Sequence, residues 1–123
     1  MVKKVLIVDD EPHLRLLYET ELRRAGFETM AAATAEQGLE YVDSMRPDLV
    51  VLDIRMPGMD GVECLQRILD RDNTIPVVLN TAYSSYRDNF LTWAADAYVT
   101  KSADVSELVQ TVRELLHAEP VSQ

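Results

Sequence analysis

Internal disulfides, thiolate metal centres, membrane spans and a basic surface are all missing from this sequence. Its 123 residues include one cysteine, Cys64; a single thiol closes no internal disulfide and builds no zinc ribbon, so stability has to come from packing. Wholly apolar runs such as Leu49 to Leu52 are short, against roughly 20 residues needed to cross a bilayer. The opening Met-Val-Lys-Lys leads into a strand-like run rather than a signal peptide, so a cytoplasmic location is expected. Basic residues are outnumbered, 12 against 21 acidic, for a net charge of -9. Such a surface repels phosphate backbones and anionic lipid, which argues against direct nucleic-acid or membrane contact and identifies no partner by itself. No linker, low-complexity segment or repeat interrupts the chain. At 47% hydrophobic and 27% charged, the length supports one domain with a full core and is too short for two.

What is present is an alternation. Short runs rich in Val, Leu and Ile exchange with stretches whose apolar residues recur every three or four positions, at intervals of about 25 residues. Strands are expected at Lys4 to Val8, Glu28 to Ala31, Asp48 to Leu52, Pro76 to Asn80 and Asp96 to Val99. The first, third and fourth are nearly continuous apolar runs, as in strands buried on both faces of a parallel sheet. The first helix opens at Pro12, stops at Gly26 and carries Leu14, Leu17, Tyr18, Leu22 and Ala25 on one side. Thr34 with Gln37 opens the second, which Pro47 stops, and Asp60 with Glu63 opens the third in a similar way. Tyr86 to Ala95 reads as a short fourth helix. Asp104 and Glu107 open the last, whose apolar stripe is Val105, Leu108, Val109, Val112, Leu115 and Leu116. Right-handed crossovers between five such units predict an α/β fold: a doubly wound, five-stranded parallel sheet with helices on both faces and the flavodoxin-like order 2-1-3-4-5. The domain is expected to fill 1–123, with a core of about 3–118 and a frayed tail at 119–123.

The informative pattern lies at the end of each apolar run. Asp9 and Asp10 stand after the first, Asp53 after the third, Thr81 after the fourth and Lys101 after the fifth. In a parallel sheet these positions share the carboxyl edge, where open α/β folds bind ligands. Two like charges about 4 Å apart repel by roughly 4 kcal/mol at an effective dielectric of about 20, so three carboxylates beside one lysine call for a cation. Oxygen-only ligands point to a hard ion, Mg²⁺ in particular. Lys101 and Thr81 then suit phosphoryl oxygens, leaving Asp53, alone at the end of a central strand, as the nucleophile. A lone Asp after a strand is usually a turn or cap residue, but caps need no lysine, and five such groups on four strand ends point to a site.

At these residues the chain resembles the receiver domain of two-component response regulators. The resemblance rests on Val-Leu-Ile-Val-Asp9-Asp10-Glu11, Pro47-Asp-Leu-Val-Val-Leu-Asp53-Ile-Arg-Met-Pro57-Gly58-Met-Asp60-Gly61, Thr81-Ala82 and Asp96-Ala-Tyr98-Val-Thr-Lys101. It implies a phosphoacceptor switch rather than an enzyme, with phosphotransfer from a histidine kinase or phosphotransfer protein to Asp53. It further implies Mg²⁺ held by Asp10, Asp53 and the Arg55 backbone carbonyl, and by Asp9 through water. Thr81 and the Ala82 amide would bind the phosphoryl group, Lys101 would pair with it, and Tyr98 would turn inward as Thr81 moves. The implied receiver acts on a downstream protein that the sequence does not name, as a monomer or a weak phosphorylation-dependent dimer.

The departures from the family pattern also carry expectations. Ser102 stands where proline usually comes after the lysine through a cis bond; a non-proline cis bond costs about 3–4 kcal/mol, so trans geometry is expected. Ala95 replaces the usual glycine, and the stretch from Thr81 to Lys101 is about two residues short, compressing the fourth helix of the usual partner surface. Arg55 and Tyr83, each two residues beyond a site residue, are expected to shield the acyl phosphate from water and slow autodephosphorylation. His13 and His117 are expected at the surface, and Cys64, Met56, Met59 and Trp93 in packing roles. The chain ends just after the last helix, leaving no room for an output domain, so a stand-alone regulator and an excised receiver fit equally. Two other readings are a receiver-fold interaction module without phosphorylation and a Mg²⁺-dependent aspartyl phosphatase resembling the haloacid dehalogenase family. The latter usually has a second Asp two residues after the nucleophile, where Arg55 stands.

Overall fold

The computed structural model describes residues 2–53, 61–81, 95–101 and 105–117. Among them run β1 (Lys4–Val8), α1 (Pro12–Arg24), β2 (Glu28–Ala32), α2 (Ala35–Met45), β3 (Leu49–Leu52), α3 (Gly61–Arg71), β4 (Val77–Thr81), β5 (Ala97–Thr100) and α4 (Ser106–His117). The strands form one parallel sheet in the order β2-β1-β3-β4-β5. This is the order expected from the sequence.

Alternation along the central strands fills two cores. Leu6, Val8, Val50, Leu52, Val77 and Leu79 face Leu39 and Val42 of α2 and Leu65 and Ile68 of α3. On the other face Val5, Ile7, Leu49, Val51 and Val78 meet Tyr18 and Leu22 of α1 and Leu108, Val112 and Leu116 of α4. Every residue of β3 is buried, which is why that strand reads as an unbroken apolar run.

Strand starts fall one residue later than expected at β3, β4 and β5; at β3 and β5 a side-chain anchor takes the expected first position. Asp48 accepts from the Lys4 amide (2.7 Å) through its side chain while its own amide donates to the Lys4 carbonyl (2.8 Å). Asp96 does the same to Val77, at 2.9 Å in both bonds. Each is an anchor clasping the neighbouring strand's first residue, which fixes register at the amino edge and thereby aligns the carboxyl edge.

Helix ends obey their sequence signals. Pro12 stands in the first turn of α1, and Gly26, at φ 104°, turns the chain out of it, with the Phe27 amide donating back to the Leu22 carbonyl. Thr34 caps α2 by accepting from the Gln37 amide (3.1 Å), and Gln37 in return accepts from the Ala33 amide (3.0 Å). The return bond thus reaches one residue further back than in the usual capping box. Arg46 leaves α2 in the left-handed region, at φ 51°. The expected opening residues Asp60 and Asp104, the Lys101–Ser102 bond and the fourth helix up to residue 94 lie outside the described residues.

Gly38 is where α2 comes closest to the sheet: a Cβ there would lie 2.8 Å from Val8 Cγ2. Overpacking of this kind costs about 1–3 kcal/mol, against a gain of about 1 kcal/mol from replacing a helical glycine by alanine. Gly38→Ala is therefore expected to lower the urea midpoint of unfolding. In a Val8→Ala background, which opens the space, the same substitution should raise it; equal effects in both backgrounds would exclude the contact as the cause.

Candidate functional site

The register that pairs Val8 with Leu52 brings the residues after β1 and β3 side by side. Asp9 is bonded through its amide to the Ala32 carbonyl (3.1 Å) and Asp53 through its amide to the Val8 carbonyl (3.0 Å), so the ladder holds both backbones. Both carboxylates are buried, with Asp9 2% and Asp53 5% exposed. Asp10 joins them: one carboxylate oxygen from each of the three lies within 4.8 Å of the others.

Lys101, just beyond β5, crosses to this group. Its Nζ lies 2.9 Å from Asp9 Oδ2, 3.2 Å from Asp53 Oδ2 and 3.5 Å from Glu11 Oε1. Burial alone would push the Lys101 pKa down, but the hydrogen bond to Asp9 and the charges of Asp53 and Asp9 more than reverse this and hold it above the usual lysine value. With the folded pKa raised, the stabilisation from this ammonium is fully present below the unfolded value of about 10.4 and is lost only as pH rises through the folded one.

Two residues not anticipated as site members brace the first loop. Glu11 donates its amide to Asp9 Oδ1 (3.0 Å), and Arg15, one turn into α1, donates from Nη1 to the Asp9 carbonyl (2.8 Å). The carbonyl bond orients Asp9 without competing for its carboxylate. Of the other expected site residues, Thr81 is described as backbone only, ending β4 opposite Thr100. Tyr98 is half-buried against the core on the α2 and α3 face. Arg55, Ala82 and Tyr83 lie outside the described residues. His13 is exposed, as expected. Cys64 is buried, and its thiol is pushed up to about 11 chiefly by that burial, which keeps it a packing residue.

The carboxylates of Asp9, Asp10 and Asp53, two of them buried and paired with the Lys101 ammonium, form a donor set of hard oxygens. That chemistry fits Mg²⁺ and excludes soft metals. The same edge position is where open α/β sheets hold ligands. A profile of the response regulator receiver domain family matches residues 5–113. The chain belongs to that family.

The receiver domain is 36% identical over 118 residues to sporulation initiation phosphotransferase F of Bacillus subtilis, covering 94% of this chain and 95% of that protein. Among solved structures it matches response regulator protein TrrA of Thermotoga maritima in complex with Mg²⁺-BeF, with a TM-score of 0.89 and 42% identity over 93% of this chain and 99% of that one. TrrA in complex with histidine kinase ThkA matches with a TM-score of 0.87 and 43% identity, over 94% and 99% of the two chains. The chain spans about half the length, or less, of seven other curated relatives that it matches. As a receiver domain it is a component of two-component signalling and a phosphoacceptor rather than a turnover enzyme. Among the described residues no helix is long and apolar enough to cross a membrane.

Removing one partner from a buried ion cluster strands the others, at a cost of about 3–5 kcal/mol. Lys101→Met, which keeps most of the side-chain volume, should therefore lower stability by about 3 kcal/mol in metal-free buffer at pH 7. Adding Asp53→Asn, which removes one of the stranded charges, should restore part of that loss. Additive losses in urea titrations of the two single variants and the double variant would show that the ammonium and Asp53 do not interact.

Proposed function

We propose that this receiver domain accepts a phosphoryl group on Asp53 from a histidine kinase or a histidine phosphotransfer protein, in a Mg²⁺-dependent reaction. The observation that carries the proposal is the Asp53 carboxylate, buried at the carboxyl edge and held 3.2 Å from the Lys101 ammonium inside an acidic cluster. A capped surface aspartate has no use for such company. The likeness to TrrA, described with Mg²⁺-BeF and with a histidine kinase, supports both the ion and the partner.

In the reaction one Asp53 carboxylate oxygen attacks phosphorus in line. The phosphorus–nitrogen bond of the donor phosphohistidine breaks, and its electron pair leaves with the imidazole nitrogen, which takes up a proton from solvent. Lys101 is already charged and already at Asp53, so it meets the incoming phosphoryl oxygens without reorganisation. Asp10, Asp53 and the Arg55 carbonyl would hold Mg²⁺, with Asp9 acting through water. When bound there, the ion would supply neutralisation of charge developing on the transferred group. Thr81 and the Ala82 amide take the remaining phosphoryl oxygens. Movement of Thr81 toward Asp53 makes room for Tyr98 to turn inward, which alters the surface offered to a downstream protein. Arg55 and Tyr83, each two residues beyond a site residue in the sequence, are assigned the role of slowing hydrolysis of the acyl phosphate.

Incubation with Mg²⁺ and acetyl phosphate should add one phosphoryl group by intact mass to the wild type and none to Asp53→Asn. Mg²⁺ alone should raise the thermal midpoint of the wild type, by about 2.7 kcal/mol of stabilisation at a hundredfold excess over Kd, and should do so far less for Asp10→Ala. A folded wild type that binds Mg²⁺ yet gains no mass would return the chain to the role of an interaction module. The shielding role has its own check. Arg55→Ala and Tyr83→Ala phosphoproteins should lose the group several-fold faster than wild type, and equal decay would remove both residues from the account.

A further inference from the structure

A cation beside an acidic cluster is expected on a carboxylate, as Lys101 is. Arg15 is placed differently. Half-buried in the first turn of α1, it donates from Nη1 to the Asp9 carbonyl at 2.8 Å. That bond closes a circuit of three. The Glu11 amide donates to Asp9 Oδ1 (3.0 Å), and the Arg15 amide donates to the Glu11 carbonyl (3.0 Å). Asp10 lies inside the circuit, between a tied Asp9 and a tied Glu11. The Asp9 carbonyl belongs to the planar peptide that joins Asp9 to Asp10, so the guanidinium fixes the plane from which the Asp10 side chain departs.

The guanidinium stands on a firm base. One turn further along α1, Tyr18 is 2% exposed and packs in one core with Leu22. Its phenol meets the side chain of Asn80 on β4, itself 2% exposed. α1 is thereby docked to the sheet directly behind Arg15, and the loop between β1 and the helix is held from both ends. By charge alone, a guanidinium beside three carboxylates would compete with a divalent ion for the site. Bonded to a carbonyl, it takes up no carboxylate oxygen there.

We propose that Arg15 is a positioning residue that sets the site's preference for Mg²⁺ over Ca²⁺, by fixing the Asp9–Asp10 peptide and hence the aim of the Asp10 carboxylate. This role rests on the reading of Asp10 as a metal ligand. Mg²⁺ demands near-ideal octahedral geometry and short bonds, whereas Ca²⁺ accepts irregular shells and longer ones. A carboxylate held still favours the smaller, stricter ion, and one free to swing adapts to the larger. Asp10 already lies with Asp9 and Asp53 so that one oxygen from each is within 4.8 Å of the others. Arg15 acts on the ion through that carboxylate, as residues that orient metal ligands do.

Mg²⁺ and Ca²⁺ titrations of the whole chain, followed by backbone amide shifts, give both Kd values without any phosphoryl donor. The wild type should bind Mg²⁺ more tightly than Ca²⁺. In Arg15→Ala the Mg²⁺ Kd should rise about tenfold while the Ca²⁺ Kd changes by about twofold or less. Arg15→Lys, which keeps the charge and a donor, should recover part of the loss. Alanine and lysine are both good helix formers, so α1 is kept. Tighter binding of both ions by Arg15→Ala would make the guanidinium a competing charge and overturn the proposal. An unchanged ratio of the two Kd values, with or without a lower urea midpoint, also overturns it, since Arg15 would then secure the helix alone. A wild type without preference for Mg²⁺ does the same and needs no variant. If Asp10→Ala binds Mg²⁺ as the wild type does, the metal reading of the cluster falls and the role of Arg15 with it. If Asp10→Ala loses the ion while Arg15→Ala keeps both affinities, the metal reading stands and the role of Arg15 alone falls.

Discussion

One ammonium keeps three carboxylates in a space that would otherwise repel them. Lys101 Nζ lies within 3.5 Å of oxygens from Asp9, Asp53 and Glu11, and it does so from the edge strand, across the whole width of the site. Its reach depends on the sheet. The anchors Asp48 and Asp96 fix where neighbouring strands begin, so that Asp9, Asp53 and Lys101, just beyond β1, β3 and β5, meet. Were the register of β5 shifted by one, Lys101 would exchange faces and leave the cluster. The chemistry of the edge therefore rests on bonds made at the opposite end of the sheet.

The compensation Lys101 provides is incomplete: among the described residues its ammonium, with the Arg15 guanidinium at the Asp9 carbonyl, faces the carboxylates of Asp9, Asp10, Glu11 and Asp53, in a domain whose net charge is already -9. A resting site in that condition is poised to take up a cation, because a divalent ion relieves repulsion that the protein tolerates without it. It is equally poised to hand over its lysine, since Lys101 is shared among carboxylates rather than committed to one. In the proposed reaction, sharing would let a phosphoryl group claim the ammonium without first breaking a single strong pair.

Much of this was legible in the sequence because the signals were local. Apolar runs of four or five residues marked the strands, turn and cap residues marked most helix ends, and polar groups after the runs marked the site. What escaped depended on three-dimensional placement. Asp48 and Asp96 look like strand residues in a linear reading, and only the pairing shows them clasping a neighbour's amide and carbonyl. Glu11 and Arg15 reach Asp9 through the turn into α1, a geometry no periodicity encodes. Gly38 passes as a weak helical position, yet it sits where α2 meets Val8. Asn80 read as the end of an apolar run, and one signal in the sequence could have singled it out: a carboxamide directly after three apolar strand positions.

The fold also constrains how a local event at Asp53 reaches the surface. β5 is a four-residue strand at the end of the sheet order, bonded to β4 alone in that sheet. Its alternation sends Tyr98 to the core beside α2 and α3, while Val99, and Lys101 two residues on, take the face of α1 and α4. Whatever draws on Lys101 therefore pulls a strand whose aromatic residue stands on the other side of the sheet. Central strands such as β3, buried on every residue and bonded on both edges, would resist such a pull. An edge strand with one ladder to disturb yields at far lower cost, which makes β5 the element through which the proposed Thr81 and Tyr98 movement can be expressed.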